Sequence, residues 1–410
     1  MPAMAEQLAC DADVVVVGAG PAGLALGSAL ADIGLRVTLL EQQARAALAD
    51  PAEDGRDIAL THRARRVMED LGLWSGLPGS AVAPLNAAQV VDGSSPLVLH
   101  FGDAPQQGGP LGWLVPNHLI RRAAWQAAAT RSQLQVVCDA RVTAIERDAR
   151  SAWVTLADGR RFTGRLLVAA DSRFSATRRM AGIGAAMHDF GRSVVLGRVQ
   201  HTRDHGGVAL ECFRYGNTLA LLPMNDSQSS SVVTLPADRA AEWLALSDDD
   251  FAARVQAQSE GRLGRMVAAG PRHLVPLVAV YAHRFVASRV ALIGDAAVGM
   301  HPVTAHGWNF GLYGVQVLAR ELAAVQRRGG DIGELPALQA YEREHRRTTL
   351  PVWVGTNAIV TLFTDDRRLP KLARRAVLTL AERAPGLSRL IKSGIEQQLR
   401  GAAAARVTAP

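Results

Sequence analysis

Lysine is nearly missing from this 410-residue chain: Lys371 and Lys392 are the only two, so the formal charge of +7 rests on arginine. Aromatic residues make up only 5%. A basic balance without interleaved aromatics lacks the stacking surface of a nucleic-acid reader, and no nucleic-acid partner is expected. Cysteine is scarce as well. Cys10, Cys138 and Cys212 stand far apart and form no CxxC pair, which excludes a disulfide framework and a zinc spacing, so no metal is expected. Such thiol usage fits a reducing compartment. No run reaches the ~20 apolar residues of a membrane span, and 352–363 comes nearest. Near the N-terminus Glu6 and Asp11 stand where a leader would carry basic residues, so a cytoplasmic location is expected. Internal repeats are absent, which excludes solenoids. A hydrophobic fraction of 48% is too high for a disordered chain, and the length allows two or three lobes.

What is present begins with a run of four valines, Val14 to Val17, of the kind a strand buried on both faces requires. Gly18-Ala19-Gly20-Pro21-Ala22-Gly23 follows at once. Residues 24–33 then read as a helix ended by Gly34, and 35–40 as a second strand closing on Glu41, 18 positions beyond the last glycine. This is a strand–turn–helix–strand unit with an acid in the place a dinucleotide site needs one. Gly18 permits the tight turn, Gly20 lets the backbone approach a pyrophosphate, and Gly23 lets helix pack on strand. The helix N-terminus directs free N–H groups at a diphosphate, and Glu41 would accept hydrogen bonds from a ribose.

Further along, 61–73 reads as a helix with a threonine cap, and 117–130 as another. Residues 134–137, 142–145, 153–156 and 162 alternate around Asp158 and Gly159 and predict a small antiparallel meander. The run 165–170 reads as a buried strand ending in Asp171. Strand-like runs at 194–199, 208–213, 219–222 and 232–235 precede short helical patterns at 237–246 and 251–258. Residues 290–293 form another buried strand, with Gly294 and Asp295 at its carboxyl end, where ligands bind in open α/β sheets. The expected fold class is α/β. A Rossmann-like nucleotide-binding domain is assembled from residues 10–75, 112–180 and 286–330. An inserted antiparallel-sheet substrate domain comes from 76–111 and 181–285, and a helical region follows at 331–410.

The glycine unit, Asp171 to Arg178 (Asp-Ser-Arg-Phe-Ser-Ala-Thr-Arg) and Gly294-Asp295-Ala296-Ala297 occur together in that order. The set resembles the flavin-dependent aromatic hydroxylases, over most of the chain. Blocks at 55–62, 112–121 and 219–223 are similar to those of the ubiquinone-biosynthesis hydroxylases, especially the demethoxyubiquinol branch. The resemblance implies FAD as cofactor and NADH or NADPH as co-substrate. It implies transfer of one oxygen atom of O2 to a lipophilic phenol or quinol through a flavin C4a-hydroperoxide, with C5 the favoured ring position and C1 or C6 the alternatives. By the same resemblance Asp295 would hold a ribityl hydroxyl, the segment from Asp171 would serve both flavin and nicotinamide cofactors with Arg178 near the pyrophosphate, and Arg56 and Asn117 would line the flavin. Pro302, Gly307 and Asn309 would belong to the loop and helix start facing its pyrimidine edge. His306 is the candidate acid or base by residue type, with His301 and His62 behind it; in this chemistry the cofactor carries the hard step. The chain departs from the family pattern at Ser172, where glycine is usual, at Ala305-His306 in place of Gly-Gln, and at Tyr313-Gly314 in place of an acid.

Residues 365–392 hold eight basic and three acidic side chains beside an apolar stripe of Leu369, Leu372, Ala376 and Leu380. They read either as a solvated face over a packed stripe or as an interfacial helix. The second places the enzyme on the inner membrane face or in a biosynthetic complex. Two rival functions stand beside the main one: a flavin hydroxylase of another phenolic metabolite, and a non-catalytic FAD-bound assembly factor.

Overall fold

The valine run folds as expected: Ala12–Val17 is an interior strand flanked by Val37–Leu40 and Arg161–Ala169, both parallel to it. The computed structural model describes residues 11–92, 98–102, 109–214, 217–300 and 306–364. In the first sheet Val290–Leu292 extends the parallel set beyond Arg161–Ala169, and Leu134–Val137 closes the other edge beside Val37–Leu40. The helix Pro21–Asp32 makes the crossover between the first two strands and packs against Asn117–Ala129 and His306–Arg327. Valines and leucines of the parallel strands are almost wholly shielded from water, as burial between helical layers requires.

One expectation is corrected here. Leu134–Val137 does not join an antiparallel meander; it pairs in parallel with Val37–Leu40, Leu134 opposite Val37. A four-residue apolar run specifies a strand but not its partner, and the helix before it delivers the chain to the sheet edge. Val142–Arg147, Ala152–Leu156 and the start of Arg161–Ala169 do form the antiparallel meander.

A second, nine-stranded sheet is built around Ala185–His201, which pairs with Gln228–Pro236 on one side and His273–Ala282 on the other. Asn217–Pro223, Val208–Arg214, Ala87–Asp92 and Val98–Phe101 follow in order beyond Gln228–Pro236. Alternation divides its faces. Val195, Val233, Leu219, Leu221, Leu210 and Cys212 pack with Trp243, Phe251 and Val255 from the helices Ala240–Leu244 and Asp248–Gln258. The other face looks toward the parallel sheet. A three-stranded sheet of Asp57–Leu60, Gly112–Pro116 and Ala83–Leu85 lies beside them. Finally Leu335–Thr364, with Pro351 inside it, packs on His306–Arg327. Among the described residues no helix is long and apolar enough to cross a membrane. The basic segment 365–392 lies outside the described residues.

Candidate active site

The three glycines of the first turn do different work. Gly18 adopts φ +105°, and a Cβ there would come 2.6 Å from the Ala170 carbonyl oxygen. A Cβ on Gly23 would collide with the Gly18 carbonyl. Both are glycine because chain crowds them. At Gly20 a Cβ would meet nothing within 4 Å, and this residue lines a cavity of about 430 Å³. The helix Pro21–Asp32 begins there with no side-chain cap and no acid in its first turn. Its first N–H groups are left for an anion.

Glu41 is buried, and its two carboxylate oxygens accept from the Ala19 N–H at 2.8 Å and the Gln43 N–H at 2.9 Å. It therefore braces the glycine turn from the end of the second strand.

Arg56 and Asn117 both line the cavity and are held by one residue the sequence reading passed over. Asn117 donates to Asp54 at 2.7 Å, and the Arg56 guanidinium donates twice to the same oxygen, at 2.5 and 3.0 Å. Burial pushes the Asp54 carboxyl up, but Arg56 and Asn117 outweigh it and hold it below the ordinary carboxylate range. The Asn117 N–H also donates to the Arg56 carbonyl at 2.8 Å. Asp295 reaches the cavity from the turn Gly294–Ala296 and pairs with Arg173 at 3.1 Å. Gly307 and Trp308 complete this wall, and the buried Trp308 indole N–H has no acceptor among the described residues.

Other candidates act at one remove. Asn309 accepts from the Thr61 N–H at 3.0 Å and donates to the Ala59 carbonyl at 2.8 Å, tying the helix His306–Arg327 to the neighbouring strand and helix. Asp171 caps the short helix Ala176–Met180, accepting from Ser175 Oγ and from the Thr177 N–H. Arg178 is buried and donates to the Arg173 and Ala296 carbonyls at 3.2 and 3.0 Å, joining the two motif loops. His62 lies against the Trp113 ring, with its Nε2 2.8 Å from the Pro110 carbonyl oxygen. Pro302 and His301 fall outside the described residues; His306 is the first residue of its helix, and its side chain is likewise outside them. Among the described residues no cluster could hold a metal ion.

The far wall belongs to the second sheet. Val194, Leu196, Ala220, Leu222, Val232 and Val275 present an apolar surface, and Glu211 stands among them. Burial pushes its carboxyl up to about 7. Sequence reasoning missed Glu211, Arg173 and Trp308. The alternation of 208–213 could have flagged the first, since it sets Glu211 opposite Leu210 and Cys212.

An open glycine wall, an uncapped helix N-terminus and an indole N–H without an acceptor suit a dinucleotide carrying anionic and carbonyl groups. Residues 11–350 match the family described as FAD binding domain. The chain is 42% identical to the ubiquinone hydroxylase UbiM of Neisseria meningitidis, over 92% of this chain and 83% of that protein. It is 38% identical to the ubiquinone hydroxylase UbiL of Rhodospirillum rubrum, over 92% and 88%. Among solved structures, p-nitrophenol 4-monooxygenase PnpA of Pseudomonas putida superposes with a TM-score of 0.74 at 19% identity, over 96% of this chain and 99% of that one.

Proposed function

The chain belongs to the FAD binding domain family and is an FAD-dependent aromatic hydroxylase, and from that premise we propose that it hydroxylates the ring of a polyprenylated ubiquinone precursor, at C5 of a demethoxyubiquinol. One observation carries the reading. A single cavity has the glycine-rich nucleotide wall on one side and an apolar sheet face on the other, as an enzyme acting on a greasy ring beside a flavin needs. The relatives' names supply the substrate class, and the likeness of the motif blocks to the demethoxyubiquinol branch supplies the ring position.

Bound FAD supplies the redox chemistry, with NADH or NADPH as reductant and O2 as the source of the transferred atom. Gly18, Gly20, Gly23 and Glu41 would hold its adenosine diphosphate half. Arg56, Asn117, Asp295, Pro302 and Gly307 would hold the remainder, Asp171, Arg178 and Asn309 would fix the loops and helix start around it, and His306 is the candidate proton donor or acceptor at that helix start. The apolar sheet face excludes water and orients the ring. Contact with the inner membrane face is part of this proposal. Its support is an exposed stripe on the helix Leu335–Thr364, where Arg343 and Arg347 are followed by Leu350 and Val354.

The test is the quinone profile of a host lacking its own C5 hydroxylase, with and without this gene. Restored ubiquinone with loss of the demethoxy precursor is expected. An unchanged profile beside a yellow protein that consumes NAD(P)H would discard C5 and direct the test to C1- and C6-deficient hosts.

A further inference from the structure

Glu211 lies on the strand Val208–Arg214, whose alternation sends Leu210 and Cys212 into the core behind the sheet and Glu211 into the cavity. Its place in the sheet is unusual. Leu196 pairs with Val232, Val232 with Ala220, and Ala220 with Glu211, so one cavity-facing row runs across four strands and ends in a carboxyl group. Among the described residues the Glu211 carboxyl group has no hydrogen-bond or ion-pair partner.

Most of the charges around it are paired with other residues. The adjoining strand Asn217–Pro223 has no titratable side chain, and Ala87–Asp92 on the other side has only Asp92, whose side chain lies outside the described residues. Arg56, Asp57, Arg121, Arg173 and Asp295 share the cavity. Of these Arg56 pairs with Asp54, Asp57 with Arg198, and Arg173 with Asp295. Burial leaves the Glu211 carboxyl titrating near 7, where a group can both accept and return a proton. A lone polar group in an apolar row is costly unless a partner satisfies it, and none of the described residues of the wall does.

We propose that Glu211 is a catalytic residue of this enzyme: its carboxylate accepts the hydrogen bond of the substrate's ring hydroxyl and takes that proton as the ring is hydroxylated. The inference deepens the function proposed above and rests on it. In the step, the O–H bond of the ring hydroxyl breaks, the proton passes to a Glu211 oxygen, and the bonding pair moves into the ring. Electron density rises at the ortho and para carbons, one of which takes a hydroxyl group derived from O2 as the O–O bond breaks, the second oxygen atom leaving as water with the two electrons supplied by NAD(P)H. That carbon then loses its hydrogen as a proton to solvent, aromaticity returns, and the ring oxygen recovers its proton from Glu211.

The experiment uses flavin-loaded enzyme with NAD(P)H, O2 and a methoxyphenol bearing one isoprene unit, with the O-methyl ether of that phenol as control. In the unaltered enzyme kcat/KM for the phenol should rise as pH passes about 7, and the phenol should bind at least tenfold tighter than the ether. Glu211→Gln should keep its flavin, lose about a hundredfold in kcat, and lose the limb near neutrality. Glu211→Asp should recover part of the rate. A Glu211→Gln enzyme with unchanged rate and pH profile would overturn the assignment while leaving the function intact. An unaltered enzyme that hydroxylates no prenylated phenol would remove the function itself. Should Glu211→Gln not retain flavin, equal binding of phenol and ether by the unaltered enzyme decides against the proposal, and the tenfold preference decides for it.

Discussion

Arg173 Nη2 lies 3.1 Å from Asp295 Oδ2, linking the loop after the strand Arg161–Ala169 to the turn after Val290–Leu292. The same arginine donates to the Val278 carbonyl at 3.0 Å, so it also reaches the second sheet. Both side chains are partly open to the cavity, and a pair in that setting contributes at most about 1 kcal/mol to stability. Its importance is positional. Asp295→Ala should lower stability by about 1 kcal/mol or less while weakening FAD binding at least tenfold, measured by flavin-fluorescence titration beside thermal unfolding.

The glycines of the first turn should separate by experiment. Gly23→Ala forces a methyl into the Gly18 carbonyl and should cost several kcal/mol or prevent folding. Gly20→Ala adds a methyl to open space, so the flavin-free protein should unfold within about 0.5 kcal/mol of the parent. Its affinity for FAD should nonetheless drop. Equal loss of stability in both variants would refute the distinction.

Glu211 and His345 impose opposite pH dependences on stability. Burial raises Glu211 from 4.5 to about 7, so the folded state binds the extra proton and stability falls as pH rises through that interval, by up to about 3 kcal/mol. Burial lowers His345 from 6.5 to about 4, so the unfolded state binds the extra proton and stability falls as pH drops from 6.5 to 4, by a similar amount. Between about pH 4.5 and 6.5 the two slopes cancel. In the flavin-free protein, Glu211→Gln should therefore unmask a rise of stability with pH across that window. Urea unfolding at several pH values reads it directly, and parallel parent and variant curves would contradict it.

Ser172 sits at φ +76°, a left-handed conformation that costs a non-glycine residue about 1–2 kcal/mol. Glycine would relieve that strain and lose part of the gain to its larger unfolded-state entropy. Ser172→Gly should raise stability by about 0.5–1 kcal/mol, visible as a higher denaturation midpoint.

The Tyr313-Gly314 departure also has a packing cause. A Cβ on Gly314 would come 2.7 Å from His345 Cε1, while Tyr313 donates to Glu344 at 3.1 Å. Both residues serve the contact between the helices His306–Arg327 and Leu335–Thr364. Gly314→Ala should destabilise by about 1–2 kcal/mol, because overpacking exceeds the helix-propensity gain of about 1 kcal/mol.

The sequence made the first strand–turn–helix–strand unit legible because every constraint on it is local: valines, glycines and Glu41 lie within one short stretch. The same holds for the Thr61 cap, which accepts from the Ala64 N–H as expected. What depends on distant partners was not legible. Residues 134–137 announced a strand but not the sheet it joins. Asp171 and Glu41 announced acids at strand ends, and only the fold shows their oxygens engaged by backbone N–H and hydroxyl groups close by. Glu211 was hidden for a further reason. Alternation says that it faces away from Leu210 and Cys212, and in an ordinary two-faced sheet that direction is water; here it is a cavity between the two sheets.

The two faces of the second sheet bear on how such a protein diversifies. The residues that anchor its helices, among them Val195, Leu219 and Val233, alternate along each strand with those that border the cavity. A lineage can exchange Leu196, Ala220 or Val232 for larger or smaller side chains, and so admit a differently shaped ring or tail, while the packing behind the sheet keeps its anchors. Ligand range and foldability are thus inherited on separate sets of codons within the same strands.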